Sequence, residues 1–307
     1  MPHLPDILAA LIEHAPPALR WGGALAKRLR TYNIALDGKS SGSAMTDALT
    51  LADLSVQQLL VDYLRDVDPI FRQCNIAAEE STGDMDRFAK NARYTIAIDP
   101  IDGTKQYRDR SGQGYSTILT LQTVEDVYYS LVFIPEEGPH GTWVQAVGNT
   151  ITCGPDDPSR PAWEVLRSLP SYDTTNRANS NNIYLIGFQK RDAERAAEVT
   201  GLGLKGFFQD EMPGCLYSLF ATGQFAGSLI HTPNIYDFPA SLHIARILGG
   251  DSITVHNQKP VRIENLWMDD RANMLRLPGI VATSPDRNIL NKLSNLARDW
   301  SQTRYED

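Results

Sequence analysis

The sequence predicts an α+β fold, and two observations carry that prediction. Helical apolar repeats fill most of the first 65 residues, whereas strand-like apolar runs follow one another between residues 94 and 147. Within those runs, segments 115–121 and 127–134 are joined by the turn Val124-Glu125-Asp126, which makes them an antiparallel hairpin. With 307 residues the chain can form one large domain or two lobes around a substantial core.

Segments 4–14 and 18–30 have helical spacing and are expected as two helices broken near Pro16-Pro17. Residues 37–46 are rich in Gly and Ser and read as a loop. Its Gly38-Lys39-Ser40 lacks the spaced Gly and preceding strand of a phosphate loop. Ala52, Val56, Leu59, Leu60, Tyr63 and Leu64 mark a clear helix, with Thr50 as its cap and Asp53 as the reciprocal acid. In Ile76-Ala77-Ala78-Glu79-Glu80, strand alternation sends the two acids to opposite faces, so one of them can serve an internal site. Glu80 is taken as that one. Residues 84–90 are charged and read as an exposed connection.

The apolar run Tyr94-Thr95-Ile96-Ala97-Ile98 ends in Asp99-Pro100-Ile101-Asp102-Gly103-Thr104. An ordinary turn needs one acid. Two carboxylates beside backbone amides that Gly103 leaves open suit a metal-bound phosphate equally well. The basic stretch 105–114 follows, then a further strand at 142–147. The Pro-rich stretch 154–161 is the expected seam between an N-terminal lobe, 1–155, and a C-terminal lobe, 156–307. Beyond it, strands are expected at 182–188, 224–230, 252–255 and 279–283, and helices at 191–200, 215–222 and 286–300. Tyr236-Asp237-Phe238-Pro239 opens another helix that stops at Gly249-Gly250, so Asp237 also reads as a plain N-cap.

Bulk properties narrow the function. A formal charge of -8 argues against a polymeric nucleic-acid partner. Cys74, Cys153 and Cys215 are widely spaced and odd in number, which fits a reducing compartment and argues against both a disulfide framework and a thiolate metal site. No apolar run reaches membrane-spanning length, and the first residues lack a signal-peptide basic flank, so a cytoplasmic protein is expected.

Asp53, Glu79-Glu80, Asp99 through Thr104, and Asp237 followed by Gly249-Gly250 together resemble the lithium-sensitive, magnesium-dependent phosphatase superfamily of inositol monophosphatases. The resemblance spans most of the chain and implies a layered αβαβα sandwich with mostly antiparallel sheets. It implies hydrolysis of a small phosphomonoester with two or three Mg²⁺ ions. Carboxylates without His at ligand spacing suit that ion. Glu80, Asp99 and the Ile101 carbonyl would hold one ion, and Asp99, Asp102 and Asp237 another. Asp53 and the Thr104 hydroxyl, assisted by Glu80, would orient or deprotonate water. Gly103, Thr104, Lys105 and Asp237 would meet the substrate. Li⁺ inhibition and a homodimer are further implications. Tyr236 stands where the family carries Trp, as an aromatic wall. Ile230 stands where inositol-specific members carry a polyol-binding Glu, which weakens that substrate. Thr46 through Asp53, with Lys105, resemble the 3′(2′),5′-bisphosphate nucleotidase branch, whose second phosphate would employ Lys105, Arg108 or Arg110. An inositol or sugar (bis)phosphatase is the alternative within the family. The alternative from another class is a non-catalytic metal- or phosphate-binding protein, against which Asp53 and Thr104 speak.

Overall fold

The computed structural model describes residues 2–32, 34–36 and 49–305. The expected 37–46 loop, and Thr46-Asp47-Ala48 of the branch signature, lie outside the described residues.

Helix α1 (Leu4–Arg30) is continuous, with Pro16 and Pro17 inside it, where the sequence reading expected a break. The two prolines remove two backbone donors. Burial of Ile7, Leu11, Ala15, Ala18, Leu19 and Gly22 along one face keeps the helix intact. Helix α2 (Leu51–Val67) lies against it.

Strands β1 (Asn75–Ala78), β2 (Thr95–Asp102), β3 (Ser116–Gln122), β4 (Val127–Ile134), β5 (Thr142–Val147), β6 (Thr150–Pro155) and β7 (Ser171–Tyr172) form one sheet in chain order. Only β1–β2 is parallel. Every residue of β3 is buried, because both faces of the sheet are covered. Leu119, Leu121, Leu131, Phe133 and Trp143 join the core under α1 and α2. Their alternates Ile118, Val132, Ile134, Val144 and Ala146 join a second core. That core packs on α6 (Leu216–Ala221) and α7 (Phe238–Ile247).

The sheet runs past the expected seam. β6 carries Gly154 and Pro155, α4 (Ala162–Ser168) packs on α1, and β7 pairs with β6. Residues 156–172 therefore go with the first sheet, and the two sheets divide between Tyr172 and Asn182.

The second sheet has the order β12-β11-β15-β10-β8-β9. It comprises β8 (Asn182–Ile186), β9 (Lys205–Phe208), β10 (Gly227–His231), β11 (Asp251–Thr254), β12 (Lys259–Pro260) and β15 (Ile280–Ser284). Pairs β8–β9 and β8–β10 are parallel. A small ribbon, β13 (Trp267–Asp269) with β14 (Met274–Arg276), stands apart. One face packs on α5 (Asp192–Thr200) and α8 (Arg287–Leu296), the other on α7. The layers thus run α1/α2, first sheet, α6/α7, second sheet, α5/α8: the αβαβα sandwich. A last short helix, α3 (Thr104–Asp109), follows β2 directly.

Candidate active site

The hexamer at the end of β2 owes its geometry to a β-bulge. Against β3, Asp99 pairs with Ile118 and Asp102 with Ser116, three residues opposing two. In a regular strand, residues three apart point to opposite faces. The extra residue reverses that parity, and Pro100, which has no N–H to leave unpaired, sits within the bulge. Asp99 and Asp102 therefore face one site. Asp237 joins them from the start of α7, with oxygens of all three carboxylates within 4.8 Å of one another. The side chain of Asp237 makes no capping bond to its own helix, so it is available to that site.

Glu79, not Glu80, is the fourth acid. Strand β1 runs parallel to β2 with Ala78 opposite Ile98, so the next step in register sets Glu79 beside Asp99. Its N–H donates to Ile98 O, and the Glu79 and Asp99 carboxyls are hydrogen-bonded. The Glu80 backbone is tied to α2. There the Glu80 N–H donates to Gln57 Oε1 at 2.8 Å and its carbonyl accepts from Gln57 Nε2. Glu79, the residue after Ala78, thus stands beside Asp99, where the sequence reading had taken Glu80.

The crowded acids raise one another. Burial, then Glu79, Asp102 and Asp237, hold Asp99 well above the ordinary carboxylate range. Burial and then Glu79 push Asp102 up to about 7, against the Ser116 hydroxyl and the Gly103 N–H. Asp237 is held well above the range by burial, Asp102 and Glu79, with Asn234 and Arg276 opposing. Asp99 Oδ1 is buried with no hydrogen-bond partner. Such an atom is costly unless something positive reaches it. Clustered carboxylate oxygens with one orphaned at their centre are a fitting donor set for a hard divalent cation.

Asp53 divides its carboxylate between two tasks. Oδ2 accepts the Thr50 N–H at 2.7 Å and the Thr50 hydroxyl at 2.6 Å, completing the expected capping box. Oδ1 lies 3.1 Å from the Thr104 hydroxyl, which also stands 2.8 Å from the Ile101 carbonyl. Burial pushes Asp53 up to about 7, with the Thr50 hydroxyl pulling down and Glu79 and Glu80 adding to the rise. Gly103, at φ 83°, takes the left-handed turn between β2 and α3 that a side chain would resist.

The cations expected near the substrate are engaged with other protein groups. Lys105 points to Asp210 at 3.0 Å and lines a neighbouring cavity, outside the cleft that holds Asp102 and Asp237. Arg108 pairs with Asp109 at 2.8 Å. Arg110 donates to the carbonyls of Arg30 and Thr31. Tyr236 is buried in the core behind the cleft, its hydroxyl facing the Leu275 N–H, so it is packing and not a wall. The wall is instead built by Tyr184, Tyr217, Ile230, Phe238, Arg276 and Arg304. No local motif marks Tyr184, Tyr217, Arg276 or Arg304, whereas Ile230 and Phe238 stood in stretches the sequence had already singled out.

Comparison with known proteins agrees with this architecture. The family model described as "Inositol monophosphatase family" matches residues 10–295. No curated protein sequence matches the chain. Among solved structures, the extragenic suppressor protein SuhB of Bartonella henselae is similar at TM-score 0.65 and 13% identity, covering 95% of this chain and 100% of that one. Inositol monophosphatase from Anabaena (Nostoc) gives 0.62 at 17% identity, covering 96% and 98%. CysQ from Bacteroides thetaiotaomicron, a bacterial member of the inositol monophosphatase family, gives 0.61 at 16% identity, covering 91% and 98%. Those identities speak for the fold; the family model, which takes in nearly the whole chain, places the protein in the inositol monophosphatase family of phosphatases.

Proposed function

We propose that the protein hydrolyses a small phosphomonoester with Mg²⁺, and that a 3′(2′),5′-bisphosphorylated nucleotide is the favoured substrate. The observation that carries the hydrolysis is the buried, unpartnered Asp99 Oδ1 among the carboxylates of Glu79, Asp102 and Asp237. In this reading Glu79 takes the ligand role that the resemblance had given to Glu80. Asp99 and the Ile101 carbonyl would share its ion, and Asp99, Asp102 and Asp237 would hold a second. When bound, the ions supply positive charge against the phosphate and acidify water. The Asp53 carboxylate, held by Thr50 and poised near neutrality by burial, accepts a proton through the Thr104 hydroxyl and orients the attacking water. The Gly103 and Thr104 amides, where the chain turns left-handed, hold phosphate oxygens.

Ile230 lines the cleft as an apolar residue where a polyol would want an acid, which favours a nucleotide over inositol. An inositol or sugar phosphatase is the second reading, favoured by the name of the Anabaena relative. A cytoplasmic homodimer inhibited by Li⁺ completes the proposal. Phosphate release is to be measured from adenosine 3′,5′-bisphosphate, inositol 1-phosphate and fructose 1,6-bisphosphate, with and without Mg²⁺. Turnover is expected only with Mg²⁺ and fastest on the nucleotide. No Mg²⁺-dependent turnover on any of the three would leave a binding protein as the better account.

A further inference from the structure

The connection that brings Asp237 into the site, between β10 and α7, begins on a strained residue. Thr232 is β-branched and stands at φ 48°, in the left-handed region. Such a backbone persists only where its surroundings over-determine it. Every polar group of Thr232 is engaged. Its N–H donates to the Gly279 carbonyl at 2.8 Å, its carbonyl accepts from Arg276 Nη1 at 3.1 Å, and its hydroxyl accepts from Arg304 Nη1 at 2.8 Å. The same Nη1 donates to the His231 carbonyl at 2.6 Å. Gly187 makes room for that bond: a Cβ there would stand 3.0 Å from Nη1 and 2.7 Å from the carbonyl.

The two arginines are themselves held. Arg276, on β14, bonds Asp269, on β13, at 2.8 Å, and the pair is buried. The Tyr305 hydroxyl donates to the same Asp269 oxygen at 2.8 Å, and His231 Nε2 lies 3.2 Å from the Ser301 carbonyl. Segment 301–305 is thereby tied to the β13–β14 ribbon and to the end of β10. Beyond Thr232 the connection is fixed as well. The Leu277 N–H donates to the Pro233 carbonyl at 2.9 Å, and the Ile235 N–H to the Leu275 carbonyl at 3.2 Å. Asn234 Oδ1 then accepts the N–H groups of Tyr236 and Asp237 at 2.8 and 3.0 Å. A run of bonds thus leads from segment 301–305, through Thr232 and Asn234, to the backbone of Asp237. The family match ends at residue 295, so Arg304 and Tyr305 lie beyond it.

We propose that Arg276, Arg304 and Tyr305 are positioning residues that set Asp237 for its cation through the β10–α7 connection. The proposal rests on the phosphatase reading and makes segment 301–305 part of the metal-binding apparatus. Calorimetric titration with Mg²⁺ tests it on the full chain, alongside hydrogen exchange of the Tyr236 and Asp237 amides and Mg²⁺-dependent phosphate release from the best of the three compounds above. Arg304→Met should weaken Mg²⁺ binding about fivefold or more and speed exchange of both amides. Arg304→Lys, which still donates to both oxygens, should recover part of that loss. Tyr305→Phe should shift the affinity the same way by about threefold. Val199→Ala, which thins the core on the far face of the second sheet, controls for stability alone and should change Mg²⁺ affinity less than about twofold. With Mg²⁺ saturating, the substrate KM of Arg304→Met should stay within about twofold of the wild type. Wild-type Mg²⁺ affinity in Arg304→Met, or in Tyr305→Phe should the first variant not fold, would overturn the positioning role and leave the phosphatase reading standing. So would an equal loss in Val199→Ala, or a raised KM with Mg²⁺ affinity unchanged. Absence of Mg²⁺ binding by the wild type would overturn the phosphatase reading, and the positioning role with it.

Discussion

The two sheets contribute to the site in different ways. The first delivers its acids by backbone geometry. A bulge in β2 aligns Asp99 with Asp102, and parallel register sets Glu79 beside them, all within 24 residues of continuous sheet and connection. The second sheet and the elements around it deliver Asp237 from the start of α7 and build the cleft wall from segments far apart in the chain: Tyr184 on β8, Tyr217 on α6, Arg276 on the β14 ribbon and Arg304 after α8. Chemistry placed by strand register is stiff and local. Recognition placed by loops is free to change without disturbing it.

The sharpest way to break this contrast lies in the adjacent acids. If register decides, Glu79→Gln should lower kcat by about 100-fold and raise the Mg²⁺ concentration needed, whereas Glu80→Gln should stay within about fivefold, since it only flanks Asp53. Mg²⁺ titrations of the two variants decide it, and a reversed order would return Glu80 to the site.

A smaller effect is expected at the support of the first sheet's loop. Arg30, at the end of α1, donates to the carbonyls of Tyr107, Gln106 and Gly112 at 3.0, 3.0 and 2.7 Å, and pairs with Glu136. Its guanidinium also lies over the rings of Tyr107 and Tyr115. It thereby clamps α3 and the loop after it, immediately beyond Gly103 and Thr104. Arg30→Met leaves Glu136 and three carbonyls without that donor and should cost about 3 kcal/mol in denaturant unfolding. Unchanged stability would show that the clamp is dispensable and that β2 alone holds the hexamer.

The mildest probe compares one histidine packed between the sheets with one in the second sheet. Burial pushes His243, bonded to Ser130, down to about 3 and His231 to about 4, from 6.5. The unfolded chain takes up these protons below pH 6.5 while the native one does not, so stability is full above 6.5 and falls as pH drops towards 3–4. At pH 5 each should cost about 2 kcal/mol relative to pH 8. His243→Gln should flatten roughly half of that slope in unfolding titrations. An unaltered slope would assign acid sensitivity to other groups, foremost the clustered carboxylates.

Much of this was readable in the sequence because it is written locally. The β3–β4 hairpin, the capping box of Thr50 and Asp53, and the hexamer each depend on neighbours a few residues away. The continuity of α1 across Pro16-Pro17 was not readable, because tertiary burial outweighs two missing hydrogen bonds. Nor was the extent of the first sheet, since β7 is two residues long and exists only by pairing with β6. The pairing of Lys105 with Asp210 was not readable either, because the two stand 105 residues apart.

Taken alone, the residues of Asp99-Pro100-Ile101-Asp102-Gly103-Thr104 suited a turn and a metal-bound phosphate equally, and the resemblance of the whole set from Asp53 to Asp237 marked them as one candidate site. Only the tertiary structure decided which glutamate joins them and what holds the connection before Asp237. Those depend on strand register and on the path of the last residues back to the second sheet. Both are long-range pairings whose energy no local segment contains.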